Sequence, residues 1–511
     1  MHQLEAHSQA LGVSPAILMK NAGHGIAKSV LKEIGDVKDL QITVLVGPGN
    51  NGGDGLIAAE YFHSWKARVT IYLCGKPTQV HNDVINAYQN PLVIKNISDS
   101  KNITDFIRTL KTSDLIIDSI LGTGKSRPIT GILKDILKAV AEEKNSRKDM
   151  CIVAVDLPTG INADTGEADP VSISADLTLP LGNPKIGMYE FPAAHKTGKI
   201  DVVDIGIPIE AETGSNVELI TPSHVSNYLP ERPLFAHKGS FGKVLVVAGS
   251  SEYIGAAYLA SSAAARTGAG VVALAIPQSL QMSIAAQSME STYIPLPEIS
   301  PGVVSPSAAE IILKNIPNYD SLLIGCGMGQ NDSTREMLKT LLYSKGVMPP
   351  TIIDADGLNF LSTTQSPQWW ERIPGELIVT PHLGEMSRLS GIGINEIQKN
   401  RLSCAVGSAK KWNKITVLKG AYTIVASPNG NSMLSPFVNP GLATGGTGDV
   451  LAGTIAGFLA QGVGLENGAA IGVYIHGSAG EIVKKTLGDT GMLASDLLPA
   501  LPRAIKNLKS L

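Results

Sequence analysis

The sequence predicts an α/β protein of two domains, each a mostly parallel β-sheet flanked by helices. Three observations predict it. Short runs rich in β-branched residues alternate with helical or polar stretches in two separate blocks. The runs end in glycine or polar residues, at the edge where open α/β sheets hold ligands. The chain of 511 residues also exceeds the roughly 250–300 that one hydrophobic core organises.

Taken in order, Ser14 suits an N-cap and Pro15 the first helical position, so SPAILMKNAGHGIAKSVLKEIG is expected as a helix ending at Gly35. The first block of strands is QITVLV, RVTIYLC, DLIID, CIVAVD, ADLTLPL and KIDVVDIG. The stretch 207–233 is rich in proline, acid and serine without sustained periodicity, which places the domain boundary near 220, giving domains 1–220 and 221–511. The second block is KVLVVAGS, VVALAIP, SLLIGCG, TIIDADG and ELIVTPH, then a hairpin, ITVLKGAYTIVAS. Last come the glycine-rich loop NPGLATGGTGDV (439–450) and the helical pattern of VLAGTIAGFLAQG.

Bulk properties exclude several classes. A net charge of −3 with 17% charged and 43% apolar residues offers no basic surplus for nucleic acid. The N-terminal sequence lacks a basic region followed by an apolar run, and no apolar stretch reaches the ~18 residues of a membrane helix, so a cytoplasmic protein without a membrane partner is expected. Cys74, Cys151, Cys326 and Cys404 form no CxxC pair, and the ten histidines form no HExxH. Neither disulfides nor a transition-metal site is expected.

Two glycine patterns in the first half resemble nucleotide motifs and fail their tests. Gly47, Gly49 and Gly52 spell GxGxxG, but the following strand ends in Cys74, Gly75 and Lys76 where a ribose-binding acid belongs. SILGTGKS ends like a phosphate-binding loop, with Ser119 where that motif needs its first glycine. Three strand ends instead bring Asn51, Asp118, Asp156 and Thr159 to one rim. Their oxygens suit a hard cation, while strand-end aspartates also cap turns and helices.

LMKNAG (18–23), GPGNNGGDG (47–55), DSILGTGKSRPITG (118–131), VDLPTGINADTG (155–166) and LGNPKIGMYEFP (181–192) resemble, in order and spacing, the epimerase domain of the bifunctional NAD(P)H-hydrate repair enzymes. The resemblance implies a Rossmann-like three-layer domain that interconverts the R and S forms of NADHX and NADPHX. It further implies contacts to the hydrate from Asn50, Asn51, Gly52, Gly53, Asp54, Gly122, Thr123, Gly124, Lys125, Ser126, Arg127, Pro128 and Asp156, and potassium held by Asn51, Asp118 and Thr159. Epimerisation needs a proton given to the departing hydroxyl and taken from the returning water, and Asp156 is the expected carrier. Lys20, Thr159 and Lys125-Ser126 depart from the family's pattern, which has glutamate and serine at the first two places.

In the second half, the loop 439–450 sets bare amides at a helix start, which attracts an anion, and then adds a carboxylate, Asp449. HKGSFGKVLVVAGSSEYIGAAYLAS (237–261), GCGMG (325–329), DADGLN (354–359), TPHLGEMSR (380–388), LKGAYT (418–423) and NPGLATGGTGDVLAG (439–453) resemble the dehydratase domain of the same family. A ribokinase-like α/β/α fold is implied, in which loop amides face a migrating phosphoryl group and Asp449 takes the acceptor's proton. The implied hydrate site is Ala256, Gly327, His382, Leu383, Gly384, Glu385, Met386, Ser387, Arg388 and Asp449. Implied for the nucleotide are Lys419, Gly420, Ala421, Tyr422, Thr423, Asn439, Pro440, Gly441, Leu442, Ala443, Thr444, Gly445, Gly446, Thr447 and Gly448. Magnesium would bridge the phosphates, and ADP is the expected co-substrate, yielding AMP and phosphate. Cys326 and Leu383 stand where the family has proline; His382, Asp354 and Asp356 also have simpler readings as turn or capping residues.

The expectation is therefore one enzyme whose first half epimerises the hydrate and whose second half dehydrates the S form, acting on small molecules as a homo-oligomer. The competing reading is a hydroxyl kinase fused to a non-catalytic binding domain.

Overall fold

The computed structural model describes residues 2–88, 92–97, 100–124, 128–211, 214–363, 368–373 and 375–509. Lys125, Ser126 and Arg127, all expected at the first site, lie outside the described residues. The chain divides into two units between Gly214 and Ser215, a few residues before the expected boundary.

The first unit holds strands β1 (Gln41–Val46), β2 (Arg68–Leu73), β3 (Val93–Asn96), β4 (Leu115–Ser119), β5 (Cys151–Val155), β6 (Leu177–Leu179) and β7 (Lys199–Ile200). They form one parallel sheet in the order β3-β2-β1-β4-β5-β6-β7. The order reverses at β1, which is flanked by β2 and β4, so a crevice opens at the carboxyl ends of β1 and β4. Both faces of β1 are covered: Val44 belongs to a core with Ile26 and Phe62, and Leu45 to another with Phe106 and Leu137. Burial on both sides is why QITVLV reads as a continuous apolar run rather than an alternating one.

The helix Pro15–Ile34 starts with the Ser14 hydroxyl accepting from the Ile17 amide and stops at Gly35, as the sequence predicts. A helix before it, His2–Ala10, was not anticipated. Gly47 answers the GxGxxG pattern with packing, because a Cβ there would come within 1.7 Å of the Ile120 carbonyl oxygen. Ser119 is likewise structural, its hydroxyl donating to the Leu45 carbonyl at 2.7 Å.

The second unit holds β8 (Val217–Leu219), β9 (Lys243–Val247), β10 (Val271–Pro277), β11 (Thr292–Leu296), β12 (Glu298–Ser300), β13 (Val303–Val304), β14 (Ser321–Ile324), β15 (Thr351–Ile353), β16 (Leu377–Val379), β17 (Ile415–Leu418), β18 (Ile424–Ala426) and β19 (Ser432–Leu434). Ten of them form a sheet ordered β11-β10-β9-β14-β15-β16-β17-β18-β19-β8, and β12 pairs with β13 apart from it. From β11 to β17 every pair is parallel, while β17-β18 and β18-β19 are antiparallel. The expected hairpin is thus present.

The stretch 207–233, read as a boundary for want of sustained periodicity, also supplies β8 and the helix Pro222–Tyr228, which Thr221 caps and Pro222 begins. The strand was missed because Val-Glu-Leu at a sheet edge carries too little apolar signal. The glycine loop leads into the helix Thr447–Ala460, whose N-cap Gly446 has φ of +93°, a backbone state that disfavours any other residue. No described helix is long and apolar enough to cross a membrane.

Candidate active sites

In the first unit the carboxyl ends of β1, β4 and β5 converge on a cavity of 1110 Å³ whose lining includes Met19, Asn50, Asn51, Asp54, Gly122, Thr123, Gly124 and Asp156. Four carboxylate or amide side chains at this rim, Asp118, Asn51, Asp156 and Asp54, are withdrawn from water with differing partners. Asp118 is fully buried; the Thr159 amide donates to its Oδ2 at 2.8 Å, while the Thr159 hydroxyl donates to Oδ1 at 2.7 Å. Burial pushes its carboxyl up from the ordinary value, an effect those donors only partly offset. Asn51 is 8% exposed, yet neither its amide oxygen nor its nitrogen meets a protein partner. A buried amide left in that state is costly unless something else satisfies it.

Asp156 sits just after β5 in the left-handed region, φ +64°, a strained state for a residue other than glycine, asparagine or aspartate. Lys185 donates to its Oδ1, as does the Leu181 amide at 3.2 Å, so that oxygen is held. Its Oδ2 faces Gly122, 3.3 Å from where a Cβ on that glycine would lie. Asp54, 6% exposed, has its carboxyl driven well above the usual range by burial and then by the charge on Asp156. Two neighbouring carboxyls thus differ: one is paired with an ammonium, the other is pushed toward its neutral form.

Sequence reasoning missed Lys185 and His81. Lys185 lies inside the quoted LGNPKIG, but only the fold brings it back to Asp156. His81 accepts from the Thr78 amide at Nδ1 and therefore donates through Nε2 to the Gly49 carbonyl, at 2.9 Å, steadying the loop that carries Asn50 and Asn51.

The second unit gathers Cys326 after β14, Asp354 after β15, His382 and Glu385 after β16, Lys419 after β17, and Asp449 in the first turn of Thr447–Ala460. Lys419 Nζ lies 2.6 Å from Asp354 Oδ1 and 3.6 Å from Glu385 Oε2. Burial works against the ammonium, but Asp354 and Glu385 hold it above its ordinary value. Burial pushes Glu385 up to about 7 and Asp449 up to about 6, the nearby charge of Asp354 adding to each. Cys326 is fully buried beside Asp449, and its thiol is driven up by burial first and then by that carboxylate.

Local rules explain the rest of this rim. His382 and Glu385 form a reciprocal cap: the Glu385 carboxylate accepts from the His382 amide at 2.7 Å, and His382 Nδ1 accepts from the Gly384 amide at 3.0 Å. Leu383, Gly384, Met386 and Ser387 ride on the helix this cap begins, and Arg388 donates to Asn359 Oδ1 at 2.8 Å. Gly327 lies against Ala256, with 2.7 Å between a Cβ built on the glycine and that of the alanine. Asp354 caps nothing with its side chain, whereas Asp356 accepts from the Gly329 amide at 2.9 Å, so of the two aspartates in DADG it is Asp356 that holds a backbone turn.

In the glycine loop the hydroxyls are used internally. Thr444 donates to the Gly441 carbonyl at 3.0 Å, Thr447 donates to Leu442 at 2.8 Å, and Asn439 accepts from Gly441 at 3.0 Å. His476, buried and lowered to about 4 mainly by desolvation, donates to the Thr447 carbonyl at 2.9 Å. Among the described residues the amides of Gly448 and Asp449 have no acceptor, as a helix start requires. Lys419 Nζ lies near Gly448, while Gly420, Ala421, Tyr422 and Thr423 follow it in the turn of the hairpin, Tyr422 at φ +51°.

Comparison with known proteins follows the same division. The family described as YjeF-related protein N-terminus matches residues 15–187, and the one described as NAD(P)H-hydrate dehydratase matches 244–503. A relative from Moorella thermoacetica, the bifunctional NAD(P)H-hydrate repair enzyme Nnr, is 36% identical, covering 100% of this chain and 96% of its own. The ADP/ATP-dependent NAD(P)H-hydrate dehydratase of Bacillus subtilis, co-crystallised with ATP and Mg²⁺, is similar at 32% identity and a TM-score of 0.50, covering 58% of this chain and 100% of that one. A ribokinase-like superfamily protein from Enterococcus faecalis is similar at 26% identity and a TM-score of 0.51, covering 58% and 98%.

Proposed function

The chain belongs to the bifunctional NAD(P)H-hydrate repair enzymes, and from that premise we propose how its residues divide the work. The enzyme epimerises the R and S forms of NADHX and NADPHX and dehydrates the S form to NADH or NADPH with nucleotide hydrolysis.

In the first unit Asp156 is the proton carrier. Lys185 and the Leu181 amide hold Oδ1, which leaves Oδ2 toward Gly122 and the cavity to serve the leaving hydroxyl and then the returning water. Loss of hydroxide from the hydrated ring consumes one proton and leaves a cation; re-addition of water on either face releases that proton. Asp54, favoured in its neutral form, donates a hydrogen bond without adding a second negative charge. The residues fit potassium: Asp118 is buried and faces no cationic side chain among the described ion pairs, and the Asn51 oxygen is unpartnered. Asn51, Asp118 and Thr159 would hold that ion, which would supply a fixed positive charge beside the hydrate.

In the second unit the nucleotide phosphates meet the amides of the glycine loop, with Lys419 beside Gly448 to balance their charge. Asp449 takes the proton of the hydrate's hydroxyl as that oxygen attacks the terminal phosphorus of ADP. AMP leaves, and the phosphorylated ring then eliminates phosphate, a far better leaving group than hydroxide, to restore the reduced nicotinamide. The buried carboxylate of Asp354 and the half-buried one of Asp449 suit magnesium held largely through water and phosphate oxygens, where it would neutralise phosphate charge.

The observation that carries this reading is the carboxylate of Asp449 standing in the same first helical turn as the free amides, with the Lys419–Asp354 pair beside that turn. A mixed-epimer sample of NADHX with ADP and Mg²⁺ tests it: absorbance of the dihydronicotinamide returns to completion. A stable phosphorylated product, or recovery that halts once the S form is consumed, would refute the reading.

A further inference from the structure

Cys326 is the one sulfur ligand that the described residues gather at the second site, and the repair reaction leaves it unused. It stands where the family's pattern has proline, a residue that could offer a metal no ligand atom from its side chain. Its Sγ and carboxylate oxygens of Asp354 and Asp449 all lie within 4.8 Å of one another. Among the described residues no other such group of three converges. Spacing along the sequence hides the grouping, because the three come from the ends of two strands and from a helix start.

We propose that Cys326, Asp354 and Asp449 form a site for a thiophilic divalent cation, Zn²⁺ or Cd²⁺, whose binding switches off dehydration. Tetrahedral zinc, with Zn–S ~2.3 Å and Zn–O ~2.0 Å, sets its ligands roughly 3.5 Å apart. The three atoms therefore need to close by about an ångström, within reach of side-chain rotation. Lys419 occupies Asp354 Oδ1, which leaves Oδ2, the oxygen that faces Gly448. Magnesium takes oxygen ligands and gains nothing from sulfur, whereas a thiolate selects zinc or cadmium. Binding releases the thiol proton to solvent, and water or a phosphate oxygen completes the shell. The ion then occupies the Asp449 oxygen that would accept the hydrate's proton, and dehydration stops while epimerisation, in the other unit, continues.

The inhibition part rests on the role proposed above for Asp449; the binding part does not. Binding is read first, by titrating the full chain with Cd²⁺ in the absence of substrate and following the ultraviolet thiolate-to-cadmium charge-transfer band. One equivalent is expected in the native chain. The band is lost in Cys326→Ser and Cys326→Ala, and Asp354→Asn weakens binding at least about tenfold. Dehydration without added zinc, retained in Cys326→Ser and Cys326→Ala, shows that their second unit is folded, and an unchanged melting transition shows it for Asp354→Asn. Next, Zn²⁺ is added at saturating Mg²⁺ and each variant is compared with its own zinc-free rate: the native chain is inhibited, a chelator reverses this, and Cys326→Ser is insensitive. A band or a zinc sensitivity that survives Cys326→Ser overturns the proposal, as does a native chain that shows no band.

Discussion

The ammonium of Lys185 donates to the carboxylate of Asp156, and both residues are more than nine-tenths buried. A pair so withdrawn from water contributes little net stability, but either member left alone is expensive. Its value here is positional, since it fixes one carboxylate oxygen and leaves the other to the substrate.

Lys185→Met is therefore expected to slow epimerisation by roughly 100-fold or more and to cost about 3 kcal/mol in urea unfolding, because Asp156 becomes an uncompensated buried charge. Adding Asp156→Leu should restore most of the stability without restoring activity. If the double variant regains epimerisation, the pair is structural only.

Asp156→Asn and Asp449→Asn should separate the two reactions. The first leaves R hydrate untouched while the S form is still repaired; the second lets the epimers interconvert, with recovery of reduced cofactor reduced by roughly 100-fold or more. Chromatography of both epimers over time checks this, and loss of both reactions in either variant would count against two independent sites.

The parts of this fold open to sequence reading are those where burial is two-sided. β1, β4 and β9 read as apolar runs because neighbours cover both faces. Edge strands escape notice: β3 is Val-Ile-Lys-Asn with no fully buried position, and β8 alternates with an exposed glutamate. At the sites, residues inside glycine-rich motifs were named, since such motifs have few purely structural uses. Lys185, His81 and the pairing of Asp354 with Lys419 were not, because each depends on a contact between distant segments.

Potassium dependence should be confined to epimerisation. Replacing K⁺ by Li⁺ is expected to slow interconversion of the epimers and leave dehydration of pure S hydrate unaffected. Asn51→Leu, which removes the unpartnered buried amide, should abolish the response to K⁺. A response that persists in that variant would place the ion elsewhere.

The pH dependence of dehydration follows from Asp449. As a base it works only when ionised, and burial raises it to about 6, so the rate should climb through pH 6 and level off above it. Glu385, raised to about 7, titrates nearby; Glu385→Gln should keep the limb near 6 if Asp449 is the base. Stability runs the opposite way. A carboxyl whose folded value lies above its ordinary 3.8 binds more protons when folded, so its ionisation costs the fold stability as pH rises between 3.8 and about 6. Asparagine carries no such penalty. Asp449→Asn should therefore melt higher than the native chain at pH 8, by a margin that shrinks as pH falls and vanishes near 4. A margin that does not change with pH would show that the carboxyl of Asp449 is not raised by its surroundings, and the expected rate limb near pH 6 would fall with it.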